Sequence, residues 1–415
     1  MKLTSTISTK IFLCICFLFL LGTTFSQSIK TSKNIFGKPI TTKKINPNNG
    51  LIRCSSVEYE KMLQEKDPKR LTDAQFEAWL NPLVTKYKAM RTNAKTAAPV
   101  IITIPVVVHV IYNGQAIGVA PNITDAQVQS QITVLNQDYR RMVGTKGYNS
   151  NLVGADIQIQ FELAKEDPNG NPTNGIDRVS LCQASWSVAD IDAIVKPSTS
   201  WDPRYYMNMW SVKFSDNTLL GYAQFPDASG LNGIKNSNGN ANTDGVVSNY
   251  DVFGSSQNNT TFLLNQNYNF GRTMTHEVGH WLGLRHIWGD GIGDEKAVPP
   301  VPDCTATDYC DDTPQAAWEH YVCGSYDTCP TEPGNDMPEN YMDPKTGTVQ
   351  NACKDELDKL GFVCVPRVPT EVKYCGVHSS DPKAPIPDID QGLLPKKGAI
   401  TPEGLKPNIV LMGYI

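Results

Sequence analysis

One stretch of fourteen residues, 273–286, constrains this chain more than any other part: it reads Thr-Met-Thr-His-Glu-Val-Gly-His-Trp-Leu-Gly-Leu-Arg-His. His276 and His280 are four residues apart, so a helix places their imidazoles on one face, one turn apart. Two imidazoles placed in this way can both bind one zinc ion, at about 2.0–2.1 Å. Glu277 lies beside the first of them, where its carboxylate reaches a metal-bound water rather than the metal itself.

Gly283 predicts the end of this helix, because a residue without Cβ can take the left-handed conformation that turns the chain sharply. That turn would bring His286 back to the same metal as a third ligand. Three protein ligands leave the fourth position open to water, which is typical of a catalytic zinc rather than a structural one. The alternative, a helix with ordinary surface or core histidines, is disfavoured because chance seldom adds the Gly and the third His at these offsets.

The same stretch resembles the metzincin clan of zinc peptidases, whose extended motif is His-Glu-x-x-His-x-x-Gly-x-x-His, and within it the pappalysin family, also called the M43 peptidases. The likeness is nearly residue for residue over 271–290. It continues in shorter segments over about 250 residues, from 100 to 353, at 104–112, 131–136, 201–205, 221–226 and 311–314. The resemblance implies an α+β, metzincin-type zincin fold, in which a twisted mixed sheet packs on the zinc-binding helix above an irregular, disulfide-linked C-terminal subdomain.

Residues 1–26 have the pattern of a signal peptide: two early lysines, a short apolar run at 11–21 and a plausible cleavage site. The run is too short to span a membrane and no other candidate span exists, so we expect a secreted, extracellular protein. At 415 residues the chain exceeds what one core usually supports. We expect a pro-segment over 27–98, a catalytic domain over 99–355 and a Pro-rich, irregular extension over 356–415.

Charge is spread unevenly along the chain. Residues 28–98 carry 14 Lys+Arg and 6 Asp+Glu, whereas residues 99–415 carry 21 and 36. The basic segment could dock electrostatically on the acidic body, or it could be a basic tail without a partner. Nucleic-acid binding is not indicated, because the basic stretch precedes the folded domain rather than lining it.

Several elements can be predicted from periodicity. A helix is expected to begin near Thr72 and to kink or end at Pro82, with an accessible linker over 86–98. Residues 104–112 read as a buried central strand whose His109 is a core histidine rather than a ligand. A second helix follows Thr124, with an apolar face at Val128, Ile132, Leu135, Tyr139 and Met142; further strands are expected at 157–163, 209–214, 222–225 and 246–253.

Cys54 is the lone cysteine of the expected pro-segment. A thiolate is a good fourth zinc ligand, so this residue could cover the metal and displace its water. The resemblance supports this hypothesis, since the family includes members that are kept latent in this way. The alternatives are a disulfide with Cys182 or a free thiol.

The resemblance also implies roles for residues after His286. It makes Met342 the methionine beneath the zinc, pairs Cys304 with Cys329 and Cys323 with Cys353, and places Asp308, Asp311 and Thr313 where some relatives bind calcium. A solvated acidic turn is the alternative to calcium. Two departures stand out: Pro344 replaces the Tyr expected two residues after Met342, and Thr348–Ala352 replaces an acidic run, so the family's preference for basic side chains is not implied. A second candidate methionine, Met412, lies far from His286 in the sequence.

These observations predict a secreted zinc endopeptidase that hydrolyses peptide bonds in proteins or peptides through a zinc-bound water, with Glu277 as general base. Its own pro-segment would be a further partner, and Asp290 could accept a hydrogen bond from a ligand histidine. The rival is a non-catalytic secreted binding protein that keeps zinc as a scaffold. Glu277 argues against the rival, because a structural zinc does not need this carboxylate.

Overall fold

A computed structural model of the protein describes residues 33–40, 44–93, 101–149, 154–226, 240–257, 261–322 and 324–343. The expected signal peptide, the Pro-rich extension, Cys323, Cys353 and Met412 lie outside these residues. From Asn34 onward the described residues belong to one compact unit. Within the described ranges, no helix is both long and apolar enough to cross a membrane.

A mixed sheet forms the centre of this unit. Its strands follow a short hairpin of β1 (Asn34–Ile35) and β2 (Lys38–Pro39), and they are β3 (Ile52–Cys54), β4 (Ile102–Tyr112), β5 (Ile159–Leu163), β6 (Ile176–Ser180), β7 (Met207–Val212), β8 (Leu219–Ala223) and β9 (Val246–Asn249). Their order is β3-β8-β9-β7-β4-β5, with β6 also paired to β4. The β8–β9 pair is antiparallel and the other pairs of this sheet are parallel. The mixed α+β architecture expected from the resemblance is therefore present.

Strand β4 is central because its β-branched side chains are buried on both faces, as its continuous apolar run predicts. His109 on this strand is fully buried, with Nδ1 2.8 Å from Asp177 and Nε2 2.9 Å from Asn208. It is a core histidine, as the sequence indicates. The four other predicted strands correspond to β5, β7, β8 and β9, with ends that differ by up to four residues because periodicity defines ends poorly, whereas β6 was not predicted.

Four helices pack around the sheet: α1 (Ser56–Lys66), α2 (Asp73–Asn93), α3 (Asp125–Tyr139) and α4 (Arg272–Trp281). Short helical turns run on from one another at Val188–Asp190, Ile191–Val195 and Lys196–Thr199, and 3-10 turns lie at Asn240–Thr243 and Tyr250–Val252. The Thr124 hydroxyl caps α3 by accepting from the Gln127 N–H. This helix ends at Tyr139, so the expectation that Met142 continues its apolar face is wrong; Met142 is exposed.

The two faces of the sheet have separate cores. On one face, α3 and α4 pack on β4, β7 and β9 through side chains that include Val128, Leu135, Met274 and Val278. On the other face, Tyr59 and Leu63 of α1 pack with Trp210 and Tyr222. Residues of the expected pro-segment therefore form part of the second core.

Two features of this N-terminal segment, meaning the described residues between 34 and 93, differ from expectation. Helix α2 runs through Pro82 to Asn93, so the prediction that it ends at Pro82 is wrong, and residues 86–93 are helical rather than a linker; a kink at Pro82 stays a prediction. A proline removes one main-chain hydrogen bond, and the turns on both sides keep theirs. Strand β3 and helix α1 were not predicted, since a strand of three residues carries too little periodicity.

Candidate metal centre

Helix α4 is buried along its whole length, and this burial fixes the side chains that it carries. The helix begins after Gly271, which has a positive φ of 75°. It ends where the backbone reaches Gly283, whose φ of 99° is the left-handed turn expected from the sequence. The Leu284 N–H then bonds to the Gly279 carbonyl, and the chain returns toward the helix at His286.

The three histidines converge on one point. The Nε2 atoms of His276 and His280 are 3.1 Å apart, those of His280 and His286 are 3.2 Å apart, and those of His286 and His276 are 3.3 Å apart. Tetrahedral ligands at about 2.1 Å from an ion stand about 3.4 Å from one another. The residues therefore fit a tetrahedral metal, and an all-imidazole set with an open position suits zinc.

Each ligand histidine is oriented by a hydrogen bond from its other ring nitrogen. His276 Nδ1 lies 2.6 Å from the Tyr341 carbonyl, His280 Nδ1 lies 2.8 Å from the Leu284 carbonyl, and His286 Nδ1 lies 2.9 Å from both oxygens of Asp290. A ring that donates through Nδ1 presents the lone pair of Nε2 to a metal. Burial lowers the pKa of His276 and His280 well below the ordinary value, which favours the neutral form that binds metals.

Met342 lies beneath this centre and is fully buried. A Cβ added to Gly279 of α4 would stand only 2.6 Å from its Sδ atom. Met342 thus packs against the helix that carries His276 and His280, and the glycine allows this close approach of helix and loop; its role as the methionine beneath the metal stays a prediction.

Glu277 follows His276 directly on α4 and is fully buried. Burial raises the pKa of its carboxyl to about 8, against hydrogen bonds from Ser56 and Cys54 and the charge of Arg53, which lower it. Oε2 accepts a hydrogen bond from the Ser56 hydroxyl at 2.8 Å. Oε1 is buried without a hydrogen-bond partner among the described residues, so this oxygen is free to accept from a water or a peptide N–H.

Cys54 joins the cluster from the N-terminal segment. Its Sγ and one nitrogen of each of the three histidines all lie within 4.8 Å of one another. Sγ is 3.4 Å from Glu277 Oε2, and burial, followed by the charge of Glu277, raises the pKa of the thiol well above its ordinary value. Both Cys54 and Cys182 are free. The alternative disulfide between them is therefore wrong, because Cys54 lies in the metal centre and Cys182 is exposed.

Neighbours of Cys54 hold it in place. Strand β3 pairs in parallel with β8, with Cys54 opposite Gly221, and the Ala223 N–H donates to the Ser56 hydroxyl at 2.8 Å. Arg53 donates to the carbonyls of Asp343 and Arg272, at 2.6 and 3.1 Å. Sequence reasoning missed Arg53 and Ser56, for which adjacency to Cys54 was the one available signal.

Lys44 is a further missed residue of the N-terminal segment. Its Nζ lies 2.6 Å from Glu58 and 3.7 Å from Asp290, the carboxylate that orients His286. Burial alone would raise the pKa of Asp290, but the charges of His286 and Lys44 hold it below its ordinary value. The segment therefore contacts both the open side of the metal centre and the carboxylate behind one ligand.

The loops after His286 carry the remaining expected residues. Cys304 and Cys329 form a disulfide, the pairing that the resemblance implies, while Cys323 and Cys353 lie outside the described residues. Asp308 is buried and accepts a hydrogen bond from the Thr313 hydroxyl at 2.6 Å, whereas Asp311 is exposed. Two of the three oxygen donors thus lie together, and calcium binding there stays a prediction.

Comparison with known proteins identifies the family of this chain. A family model described as pregnancy-associated plasma protein-A, peptidase family M43, matches residues 191–363. An extracellular metalloprotease of Colletotrichum graminicola is 31% identical over 258 residues, covering 60% of this chain and 71% of that protein. The chain belongs to the M43, or pappalysin, family of metallopeptidases. Another relative, an extracellular metalloprotease of Arthroderma gypseum, is 29% identical over 269 residues, which is 64% of this chain and 73% of that one.

Solved structures agree with the M43 assignment. Mature mirolysin of Tannerella forsythia, in complex with a cleaved peptide, is 38% identical and superposes with a TM-score of 0.50, covering 61% of this chain and 87% of that chain. A mutant of promirolysin from the same organism is 32% identical with a TM-score of 0.51, covering 74% of this chain and 92% of that chain. The match thus extends over more of this pappalysin when the relative is the pro-form.

Proposed function

We propose that this protein is a secreted zinc endopeptidase that is made as a latent precursor. The observation that carries the proposal is the convergence of three Nε2 atoms, 3.1 to 3.3 Å apart, beside a buried carboxylate with one free oxygen. Membership of a metallopeptidase family and relatives named as extracellular metalloproteases support it.

The residues divide the chemistry between them. His276, His280 and His286 would hold the ion; zinc, when bound there, supplies a Lewis acid that polarises a carbonyl and lowers the pKa of a water. Glu277 accepts a proton from the attacking water and returns it to the leaving amine as general base and then acid. Met342 and the Nδ1 acceptors keep the three rings in place during this exchange.

The N-terminal segment accounts for latency. Its strand β3 pairs with the edge of β8. The Ser56 hydroxyl accepts from the Ala223 N–H and donates to one oxygen of Glu277. Cys54 supplies a sulfur beside the three histidines. A substrate strand that adds to the sheet at β8 needs the same main-chain groups. We therefore propose that residues 27–98 are a pro-segment and that cleavage between about residues 91 and 98 precedes activity. The similarity of this chain to both a mature mirolysin and a promirolysin supports this order.

The variant Glu277→Ala tests the proposed chemistry. After activation by a separate protease, we expect it to bind one zinc per chain but to digest casein at least 1,000-fold more slowly than wild type, since the proton acceptor is gone. Glu162→Ala, at an exposed carboxylate of β5, is the matched control and should digest casein normally. A chelator should abolish the wild-type rate. Full activity of Glu277→Ala would refute the mechanism.

A further inference from the structure

Arg285 stands directly before the ligand His286 and is held by aromatic rings. Its guanidinium carbon lies 5.2 Å from the centre of the Phe225 ring and 5.7 Å from that of Tyr309. The Phe225 ring in turn lies 4.9 Å from the ring of His280. Stacking of a planar cation on such rings fixes its position. Arg285 is therefore a fixed positive charge next to the three histidines.

The carboxylates paired with this arginine in the described part of the chain both come from the N-terminal segment. Nη1 lies 3.0 Å from Asp73, and Nε lies 3.6 Å from Glu77. These acids are four residues apart on α2, so they face Arg285 from adjacent turns. Glu77 and Arg285 are nearly buried, whereas half of the Asp73 side chain is exposed.

Arg285 also lies close to the end of β8, because the Phe225 ring on which it stacks comes just after this strand. Phe225 follows β8 by two residues, and its carbonyl accepts from Arg70 of the N-terminal segment at 2.9 Å. Once that segment leaves, both the edge of β8 and the carbonyl of residue 225 lose their partners. A peptide added along β8 would then reach Arg285 with a side chain just beyond Ala223.

We propose that Arg285 is a specificity residue that binds one acidic side chain of the substrate, and that Asp73 and Glu77 occupy this subsite in the precursor. The inference rests on the proposed function. An arginine that has lost its counter-charges gains most from an anion with planar, bidentate geometry, which a Glu or Asp side chain offers. The surrounding domain is acidic, with 36 Asp+Glu against 21 Lys+Arg in residues 99–415. A preference for acid should therefore be confined to the one substrate position that Arg285 contacts, and not be a general attraction.

The test compares activated wild type, Arg285→Gln and Arg285→Lys on peptide pairs that differ by Glu or Gln at a single position. We expect wild type to prefer Glu at one position by about tenfold in kcat/KM, as one charge-assisted hydrogen bond provides. Arg285→Gln should bring that ratio to about one, and Arg285→Lys, which keeps the charge without the fork, should give an intermediate ratio. The ratio is internal to each enzyme, so it does not depend on the overall rate. Arg140→Gln, which removes a surface arginine paired with Asp156, should leave the wild-type ratio.

A second measurement separates this inference from the proposed function. The same peptides are titrated calorimetrically into Glu277→Ala protein that has been cut with trypsin and freed of its N-terminal segment. The Glu peptide should bind about tenfold more tightly than the Gln peptide, and the difference should disappear with Arg285→Gln added. An activated wild type that cleaves no peptide contradicts the peptidase, and the titration still tests Arg285. Equal affinities and equal rates at every position, or a wild-type ratio in Arg285→Gln or Arg285→Lys, would overturn the subsite.

Discussion

Asp138 connects three parts of the metal centre through one buried carboxylate. Oδ2 accepts from the Thr275 hydroxyl at 2.7 Å and pairs with Arg272 at 2.9 Å, and Oδ1 accepts from the Tyr341 hydroxyl at 3.1 Å. Burial raises the pKa of Asp138 to about 6, although Arg272 lowers it. Because the Tyr341 carbonyl orients His276, Asp138 helps to position this histidine without contacting it directly.

The variant Asp138→Asn should therefore destabilise the protein by about 2–3 kcal/mol, because it leaves Arg272 as a buried cation without its counter-charge. Urea unfolding measures this loss, and zinc content after dialysis should fall in parallel. Asp156→Asn is the matched control: its pair with Arg140 is exposed, so its loss should stay under about 1 kcal/mol. Equal losses in the two variants would contradict the role of Asp138.

His320 lies between two carboxylates in the loops that follow His286. Nε2 is 3.1 Å from Asp336, Nδ1 is 3.2 Å from Asp343, and the Tyr326 ring packs against the imidazole. Burial would lower the pKa of His320, but the two carboxylates raise it to about 9. A folded pKa above the unfolded value of 6.5 means that the stabilisation is complete below pH 6.5 and disappears as the pH rises through 9.

We accordingly expect the free energy of unfolding to fall by on the order of 2 kcal/mol between pH 6.5 and pH 9.5. His320→Gln should be less stable than wild type at pH 6.5 and should lose much less over this window. Urea titrations at several pH values measure both slopes. Parallel curves for the two proteins would show that His320 is not the group responsible.

Among single residues, the sequence predicted those that lie close to one another in the chain. The three histidines, Glu277, Gly283 and Asp290 lie within fifteen residues, so helix geometry together with the turn at Gly283 was enough to bring them together. Asp138, Arg53 and His320 were missed because their partners are distant in the chain. Arg53, for example, contacts a carbonyl 290 residues away, and no periodicity encodes such a contact.

The elements show the same limit. Long periodic segments such as β4, α3 and α4 are present as expected, because burial of one face or of both leaves a clear pattern. Strand β3 has three residues and pairs with β8, whose residues lie far along the chain (Ile52 is opposite Leu219), so its place could not be read from its sequence. Pro82 did not end α2. A proline removes only one main-chain hydrogen bond of a helix, and this helix continues to Asn93.

Helix α4 can pack closely against Met342 because position 279 is a glycine. In a helix interior, Ala is intrinsically better than Gly by about 1 kcal/mol. A Cβ here would stand 2.6 Å from Met342 Sδ, and overpacking of this kind costs about 1–3 kcal/mol. Because the overpacking cost is at least as large as the gain in propensity, we expect Gly279→Ala to lose up to about 2 kcal/mol in thermal or urea unfolding.

The double variant Gly279→Ala, Met342→Ala provides the control. Met342→Ala alone should destabilise the protein through a cavity, but it also makes room for the new methyl group. The two changes together should cost less than the sum of the separate losses. A Gly279→Ala protein that is more stable than wild type would contradict the close packing of helix and loop.

At the scale of the whole molecule, the net charge of the N-terminal segment did not predict which of its residues contact the rest of the protein. Its basic residues Lys44 and Arg53 do meet Asp290 and main-chain carbonyls, as a basic segment on an acidic body suggests. Its acidic residues Asp73 and Glu77, however, meet Arg285. Recognition is therefore by local pairs of both signs, and the central claim about this segment concerns the sulfur of Cys54.

X-ray absorption at the zinc edge of the uncut precursor tests that claim most directly. We predict one zinc per chain with three imidazole nitrogens at about 2.0–2.1 Å and one sulfur at about 2.3 Å. The sulfur should vanish in Cys54→Ala and after removal of the N-terminal segment, and it should persist in Cys182→Ala. A precursor whose zinc has only nitrogen and oxygen ligands, or that holds no zinc, would contradict the account.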